Sequence, residues 1–516
     1  MSLASEEKAR SFLSISSQYK LGNLITESSH PDTRDLSHLA KNDLKLAIEK
    51  LKKLDHHVVD VLAERINDIL ALKKVINDTF SAGNNVYFCG CGATGRLSLT
   101  IETLWRQAHR TDNLGNRVFS FMAGGDVALI RSIENFEDYP QYGAMQLLEA
   151  GFSDGDLLIG TTEGGETPWV IGAVEKASEI SRRKPFFLYC NPDDLLIQSV
   201  ERSEKVIRNS KIEKINLTVG PMAVTGSTRM QSSTILLAVA GIPLLLNDLP
   251  DAEIKSEIEI FRTFWKNAEL NFLQGFTALE SDYYLRGEYL LYETDDLLGI
   301  TVMTDTTERS PTFSLFPFEN SVENEKDLSL CYLYLPYCLS SGEAWKNLLW
   351  RSPRTLEWPE INGIASMRRL IGFDFSAKAY ERREQLKESV RQHKFKILNL
   401  DEGLYFNLET EEFTFKTPFH QMILRHLALK MIMNIHSTLI MGRLGRYEGN
   451  VMTYLRASNN KLIDRAIRYI DMLLKNKNIF LSYSEICSVL FEVLEYLPSD
   501  QSVVMAVVER IAGKQK

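Results

Sequence analysis

Cysteine is scarce: the six residues Cys89, Cys91, Cys190, Cys331, Cys338 and Cys487 are spread over 516 positions, and no two form a C-x-x-C pair. That excludes a disulfide framework and gives no zinc-ligand pattern, so a reducing compartment is expected. Long apolar runs are missing as well. The most apolar stretch, Ile235–Leu246, falls well short of the roughly 18 residues that a membrane span requires. The early residues Glu6, Glu7, Lys8 and Arg10 leave no room for the apolar core of a signal peptide. A cytosolic chain that does not enter a membrane is the expectation. There is no excess of basic residues: 59 Lys and Arg against 68 Asp and Glu give a net charge of −9, which repels a polyphosphate backbone and argues against nucleic acid as the main ligand. No metal and no organic cofactor is expected.

What is present is a globular composition, 44% apolar and 25% charged, on a chain too long for one ordinary core. Residues 1–83 carry a helical period, with Leu44, Ile48, Leu51 and Leu54 on one face. From Val86 the texture changes to short β-rich runs separated by helical stretches: Val86–Cys89, Val118–Met122, Leu157–Ile159, Phe186–Cys190 and Ile215–Val219. That alternation predicts an α/β unit with a parallel sheet and crossover helices. An apolar helix pattern over Ser227–Leu246 closes this unit, and Asn247-Asp248-Leu249-Pro250 breaks it. The expected division is a helical lead-in at 1–83, a first unit at 84–250, a second at 251–474 and a helical tail at 475–516. Within the second unit the pattern predicts a helix near 253–279, strands at Tyr289–Tyr292 and Leu328–Leu335, and long helices at Pro418–Leu444 and Leu462–Leu474.

Two turns carry candidate chemistry. Gly90-Cys91-Gly92-Ala93-Thr94-Gly95-Arg96 follows the first strand and opens a helix, so free amides and the helix dipole converge on one anion. The spacing also fits a dinucleotide fingerprint, but the carboxylate that reading needs at the end of the next strand is absent, since Met122-Ala123-Gly124-Gly125 stands there. The Thr94 hydroxyl suits a phosphate oxygen, which favours a monophosphate over a nucleotide. A purely structural glycine turn is the remaining alternative. The second turn, Gly160-Thr161-Thr162-Glu163-Gly164-Gly165-Glu166-Thr167-Pro168, also leads from a strand into a helix, and both turns would meet at the carboxyl end of one sheet.

These segments combine with Ile25-Thr26-Glu27-Ser28 to Asp35-Leu36, Glu134-Asn135-Phe136-Glu137-Asp138, Gly220-Pro221 and Thr225-Gly226-Ser227-Thr228-Arg229-Met230. Further on come His436-Ser437-Thr438, Arg443-Leu444-Gly445-Arg446 to Gly449-Asn450, and Ser458-Asn459-Asn460-Lys461-Leu462. In that order they resemble the sugar isomerase (SIS) fold, and more narrowly the group containing the N-acetylmuramic acid 6-phosphate etherases and the glucokinase regulatory protein. The resemblance covers nearly the whole chain. It implies two doubly wound SIS units in one chain, a pseudo-dimer that needs no second copy.

The resemblance also implies roles. Gly92, Ala93, Thr94, Gly95, Thr162, Glu163, Gly164 and Ser227 would line phosphate and sugar, and Arg446 would stand where the regulatory protein has a lysine. The second unit repeats the first turn as Thr294-Asp295-Asp296-Leu297-Leu298-Gly299-Ile300, where one glycine survives and two acids would repel phosphate. The catalytic glutamate of the etherases falls on Leu104 in the first unit and on Glu308 in the second, within Asp305-Thr306-Thr307-Glu308-Arg309-Ser310-Pro311-Thr312-Phe313. Glu137 matches their second acid. One composite pocket would then draw its phosphate seat from the first unit and Glu308 from the second. Gln231, Glu163 and Glu166 depart from the pattern by removing a positive charge or adding a negative one.

Two functions stay open. A sensor would bind a hexose phosphate and change its contacts with a partner, for which the resemblance implies a sugar kinase. An etherase-type lyase would use Glu308 and Glu137 as base and acid to release D-lactate. Aldose-ketose isomerisation is a third reading to which no base can be assigned.

Overall fold

The structure is a computed structural model and describes residues 3–19, 21–133, 136–323, 325–386, 391–455, 457, 459–498 and 501–513. Glu134, Asn135 and Ser458 of the quoted motifs lie outside these residues.

Two five-stranded sheets organise the chain, which is α/β throughout. The first sheet comprises β1 (Val86–Gly90), β2 (Val118–Met122), β3 (Leu157–Thr161), β4 (Phe186–Tyr189) and β5 (Glu213–Asn216) in the order β2-β1-β3-β4-β5. All its pairings are parallel. Every residue of β1, β3 and β4 is buried, as expected of central strands covered by helices on both faces. The chain leaves β1 to one side for β2 and returns on the other for β3. The carboxyl ends of β1 and β3 therefore flank a crevice where the strand order reverses.

The second sheet comprises β6 (Tyr289–Thr294), β7 (Cys331–Tyr334), β8 (Gln392–Leu400), β9 (Gly403–Leu408) and β10 (Glu411–Lys416) in the order β10-β9-β8-β6-β7. Strands β6, β7 and β8 run parallel, whereas β8, β9 and β10 form an antiparallel meander. The sequence reading placed β6 and a longer β7 but did not identify the meander. Its single helix at 253–279 is two helices, Asp251–Asn267 and Leu273–Leu285. Past the sheet, helices Asn460–Lys475, Tyr483–Leu494 and Val503–Gly513 pack together, and the first helix, Leu3–Ile15, packs against Tyr483–Leu494. No described helix is long and apolar enough to cross a membrane.

Two features join the sheets. Helix Met422–Arg443, buried from Ile423 to Gly442, packs against helices on both sides. It carries polar groups into the interior, each with a partner: Lys430 donates to the Arg229 carbonyl at 2.8 Å, His436 meets Glu280 at 2.7 Å, and the Ser437 hydroxyl donates to Asp305 at 2.8 Å. The other feature is the segment following helix Ser341–Leu349. Its Arg351 grips Asp126 with two nitrogens at 2.6 and 3.0 Å and reaches Glu102 at 3.0 Å, while Arg354 adds two bonds to Glu102. Burial alone would raise the Glu102 carboxyl, but these guanidiniums hold it well below the usual carboxylate range. Removing one side of such a buried cluster costs about 3–5 kcal/mol, because it strands the charges left behind.

Candidate functional site

Each glycine of the turn after β1 has its own reason. A Cβ on Gly90 would lie 2.4 Å from the backbone of Thr94, and one on Gly95 would lie 2.6 Å from the Met122 side chain. Gly92 has open space around it but takes φ +57° and ψ −121°, a backbone conformation that only glycine adopts without strain. The result is a tight reversal that starts helix Ala93–Ala108. Cys91 and Thr94 hydrogen-bond each other within it, and the Arg96 amide returns to the Gly92 carbonyl at 3.0 Å. The amides of Gly92 and Ala93 donate to no described residue.

This turn forms part of a cavity of about 240 Å³. Gly164 and Glu163 enter it from the turn after β3, Ser227, Thr228 and Arg229 from the loop before helix Gln231–Leu245, and Lys461 and Arg465 from helix Asn460–Lys475. Glu308 reaches it from helix Gly299–Phe313, which begins at the carboxyl end of β6. Residues that belong to different sheets thus share one wall. Glu137 lines this cavity and an adjoining one of about 450 Å³. It accepts from the Cys91 thiol at 3.5 Å and from Asn459 at 3.3 Å.

Of the residues expected at the site, Gly92, Ala93, Glu137, Glu163, Gly164, Ser227 and Glu308 come together in this cavity, and Thr94, Gly95, Thr162 and Arg446 are not among its walls. The Thr94 hydroxyl is turned back to the Cys91 carbonyl at 2.9 Å instead of lining the cavity. A side-chain hydroxyl competing for nearby backbone groups is the reason. Thr162 is occupied in the same way, sharing a 2.9 Å hydrogen bond with Thr167. Gly95 serves the packing of its helix against Met122. Arg446 lays its guanidinium over the Tyr454 ring, 4.4 Å from the centroid.

The cations of the cavity were missed, although three of them sit inside the quoted motifs: Arg96, Arg229 and Lys461. Arg465 stands one turn beyond Lys461, on the same helix face, and that spacing was the available signal. Most are committed. Arg465 and Arg468 bind Glu27 at 2.5 and 3.0 Å. Burial would raise Glu27, yet the two arginines bring it to about 2. Lys461 and Arg202 bind Glu166 at 2.5 and 2.7 Å, overriding its burial and lowering it likewise to about 2. Glu166, expected to burden the site with negative charge, is therefore neutralised. Arg229 is tied to Asp305 at 3.2 Å and to Ser437 and Thr438. Gln231, which stands where the resemblance expects a lysine, bonds the Ala223 amide and the Pro221 carbonyl.

Arg96 differs. Its Nε bonds the Leu129 carbonyl and Thr307, no carboxylate pairs with it among the described residues, and its buried Nη2 has no partner. The carboxyls of Glu137, Glu163 and Glu308 likewise form no ion pair among the described residues. Burial raises Glu163 to about 7, and the facing Glu308 adds to the shift. Glu308 is also raised by burial, against the pull of Arg96, Arg229 and Lys430.

The turn at the start of helix Gly299–Phe313 is built differently. Asp295 folds over it, accepting from the amides of Leu297 at 3.1 Å and Leu298 at 2.8 Å with one oxygen and from Asn399 at 2.6 Å with the other. An anion already occupies those donors. It is the protein's own.

Residues 65–178 match the family model of the glucokinase regulatory protein N-terminal SIS domain. This segment belongs to the SIS domain family. Curated relatives include the N-acetylmuramic acid 6-phosphate etherases of Vibrio campbellii, 30% identical over 215 residues, and of Synechococcus sp. strain CC9902, 33% identical over 214 residues. The matches cover 42% and 41% of this chain and 64% and 62% of those relatives, so the chain spans less than two thirds of the length of either. Among solved structures, tagatose-6-phosphate ketose/aldose isomerase from Escherichia coli aligns at 11% identity over 78% of this chain and 94% of that one, with a TM-score of 0.42. The C-terminal domain of glucosamine-fructose-6-phosphate aminotransferase from Francisella tularensis aligns over 76% and 95%, with 10% identity and a TM-score of 0.36.

Proposed function

We propose that the cavity binds a hexose phosphate, and that residues 84–250 and 251–474 are two SIS units cooperating in it. The carrying observation is that residues with donors that lack acceptors line one cavity: Gly92 and Ala93, with free amides at a helix start, and Arg96, whose buried Nη2 has no partner. The phosphate sits on these donors. Ser227, Thr228, Gly164 and the three carboxylates contact sugar hydroxyls. At about 240 Å³ the cavity is smaller than the roughly 300–1,000 Å³ of ordinary small-molecule sites, which suits a monosaccharide phosphate. On this reading the protein is a sensor of the regulatory-protein kind, with a sugar kinase as its partner.

The second reading is an etherase-type lyase. It is favoured by Glu308 and Glu137 lining one cavity, and by the names of the curated relatives. One carboxylate would remove a carbon-bound proton while the other protonates the departing ether oxygen. The test is calorimetry with fructose 6-phosphate and glucose 6-phosphate on the full chain. Binding is expected, and Arg96→Leu should weaken it by about 10- to 100-fold, the worth of a charge-assisted bond to an anion. If neither sugar phosphate binds, the proposal fails. Release of D-lactate from N-acetylmuramic acid 6-phosphate, abolished by Glu308→Gln, would select the lyase.

A further inference from the structure

Nine acidic and basic residues line the cavity: Glu27, Arg96, Glu137, Glu163, Glu166, Arg229, Glu308, Lys461 and Arg465. Glu27 and Glu166 are each held by two cations, Glu27 by Arg465 and Arg468 and Glu166 by Lys461 and Arg202, and Arg229 is engaged by Asp305 behind the wall. What remains is one uncommitted guanidinium, on Arg96, against the carboxyls of Glu137, Glu163 and Glu308. A phosphate dianion added to that set meets more negative charge than positive, in a site where burial magnifies every charge. A neutral sugar does nothing to correct the imbalance. A ligand that brings its own positive charge does.

We infer that the ligand is a hexose phosphate carrying a free amino group, its phosphate on the Gly92 turn and Arg96 and its ammonium between Glu163 and Glu308. The inference rests on the sugar-phosphate reading above and narrows it to one substrate class. An ammonium has three donors and no acceptor, so it satisfies two facing carboxylates at once. Glu308 has no hydrogen-bond partner among the described residues, and Glu163 has only Thr228 and its own amide. The charged groups that act on Glu163 are Glu308, Lys461 and Arg96, and those that act on Glu308 are Arg96, Arg229, Lys430 and Asp305. Of these cations, Lys461 and Arg229 are held by other carboxylates. Lys430 is bonded to Arg229, Thr234 and Asn434. Burial raises both acids, and the cations near them do not offset it. N-acetylation of the sugar would remove the charge and leave the two acids facing each other.

The experiment is calorimetry at pH 7 on the full chain with glucosamine 6-phosphate, glucose 6-phosphate and N-acetylglucosamine 6-phosphate. The free amine is expected to bind at least about tenfold tighter than either of the others. Glu163→Gln should erase most of that preference while glucose 6-phosphate binds as well as before or better, and Glu308→Gln should act in the same direction. Equal or tighter binding of glucose 6-phosphate or of the N-acetyl sugar by the wild type overturns the inference and leaves the sugar-phosphate reading standing. Failure of all three sugars overturns both. The wild-type series alone decides, so the outcome does not depend on either variant folding.

Discussion

The turns Gly90–Arg96 and Thr294–Ile300 occupy the same place in their sheets, each between a central strand and the helix that follows it, yet one presents open amides and the other has closed on itself. The difference comes down to a few atoms. In the first turn Gly92 contributes no side chain, and Gly92 and Ala93, whose amides donate to no described residue, line a cavity. In the second, Asp295 supplies the carboxylate that the helix start favours and takes three amides for itself. Repulsion of an incoming phosphate, the expectation from Asp295 and Asp296, is only part of the account. The seat is already filled.

The comparison can be broken by transplanting the plug. Gly92→Asp puts a carboxylate beside the open amides and forces a non-glycine residue into a conformation that costs about 1–3 kcal/mol. Loss of sugar-phosphate affinity by more than about 100-fold is expected by calorimetry, and retained affinity would mean that the phosphate sits elsewhere. The next effect concerns the unpaired carboxyl of the first cavity. Because Glu163 is raised to about 7, its contribution to stability is full below the ordinary value of 4.5 and is lost as pH rises through 7. Glu163→Gln should therefore make the ligand-free protein more stable at pH 8, by about 1–3 kcal/mol, and bring no gain at pH 4. Urea titrations at the two pH values check this, and a gain of the same size at both would contradict it.

Reversing the comparison gives a change of similar size. Asp295→Ala leaves the amides of Leu297, Leu298 and Asn399 without their acceptor and should cost about 1–3 kcal/mol in urea titration. Affinity at the first turn should not move, and a shift there would show that the two turns are coupled. The smallest effect is at Arg446, outside the cavity walls. Arg446→Gln should leave affinity within about twofold, and a larger loss would return that residue to the site.

Much of this was legible in one sequence. Local order was the reason: the glycines of the first turn, the strands on either side of it and the pattern around Glu308 are all short-range features. The antiparallel meander carried a signal that went unread, since His393, Phe395 and Ile397, then Leu404, Phe406 and Leu408, alternate with polar or half-exposed residues at a period of two. The charge pairing was not legible. Lys461 and Glu166 lie 295 positions apart and Arg465 and Glu27 lie 438 apart, so nothing local says which cations are spent. The bond of Thr94 to its own turn did have a local signal, because a threonine three residues past Cys91 could have been expected to make it.

Glu308 and Gly92 meet in one cavity although 216 positions separate them, with Glu308 carried from the second sheet to the first. In a twofold dimer of identical chains every substitution appears twice, so a change that ruins one pocket ruins its mate. A single chain with unlike halves escapes that bond. One half is at liberty to keep a glycine turn with open amides, the other to close its turn with Asp295 and contribute Glu308, and mutation can tune either without disturbing its counterpart.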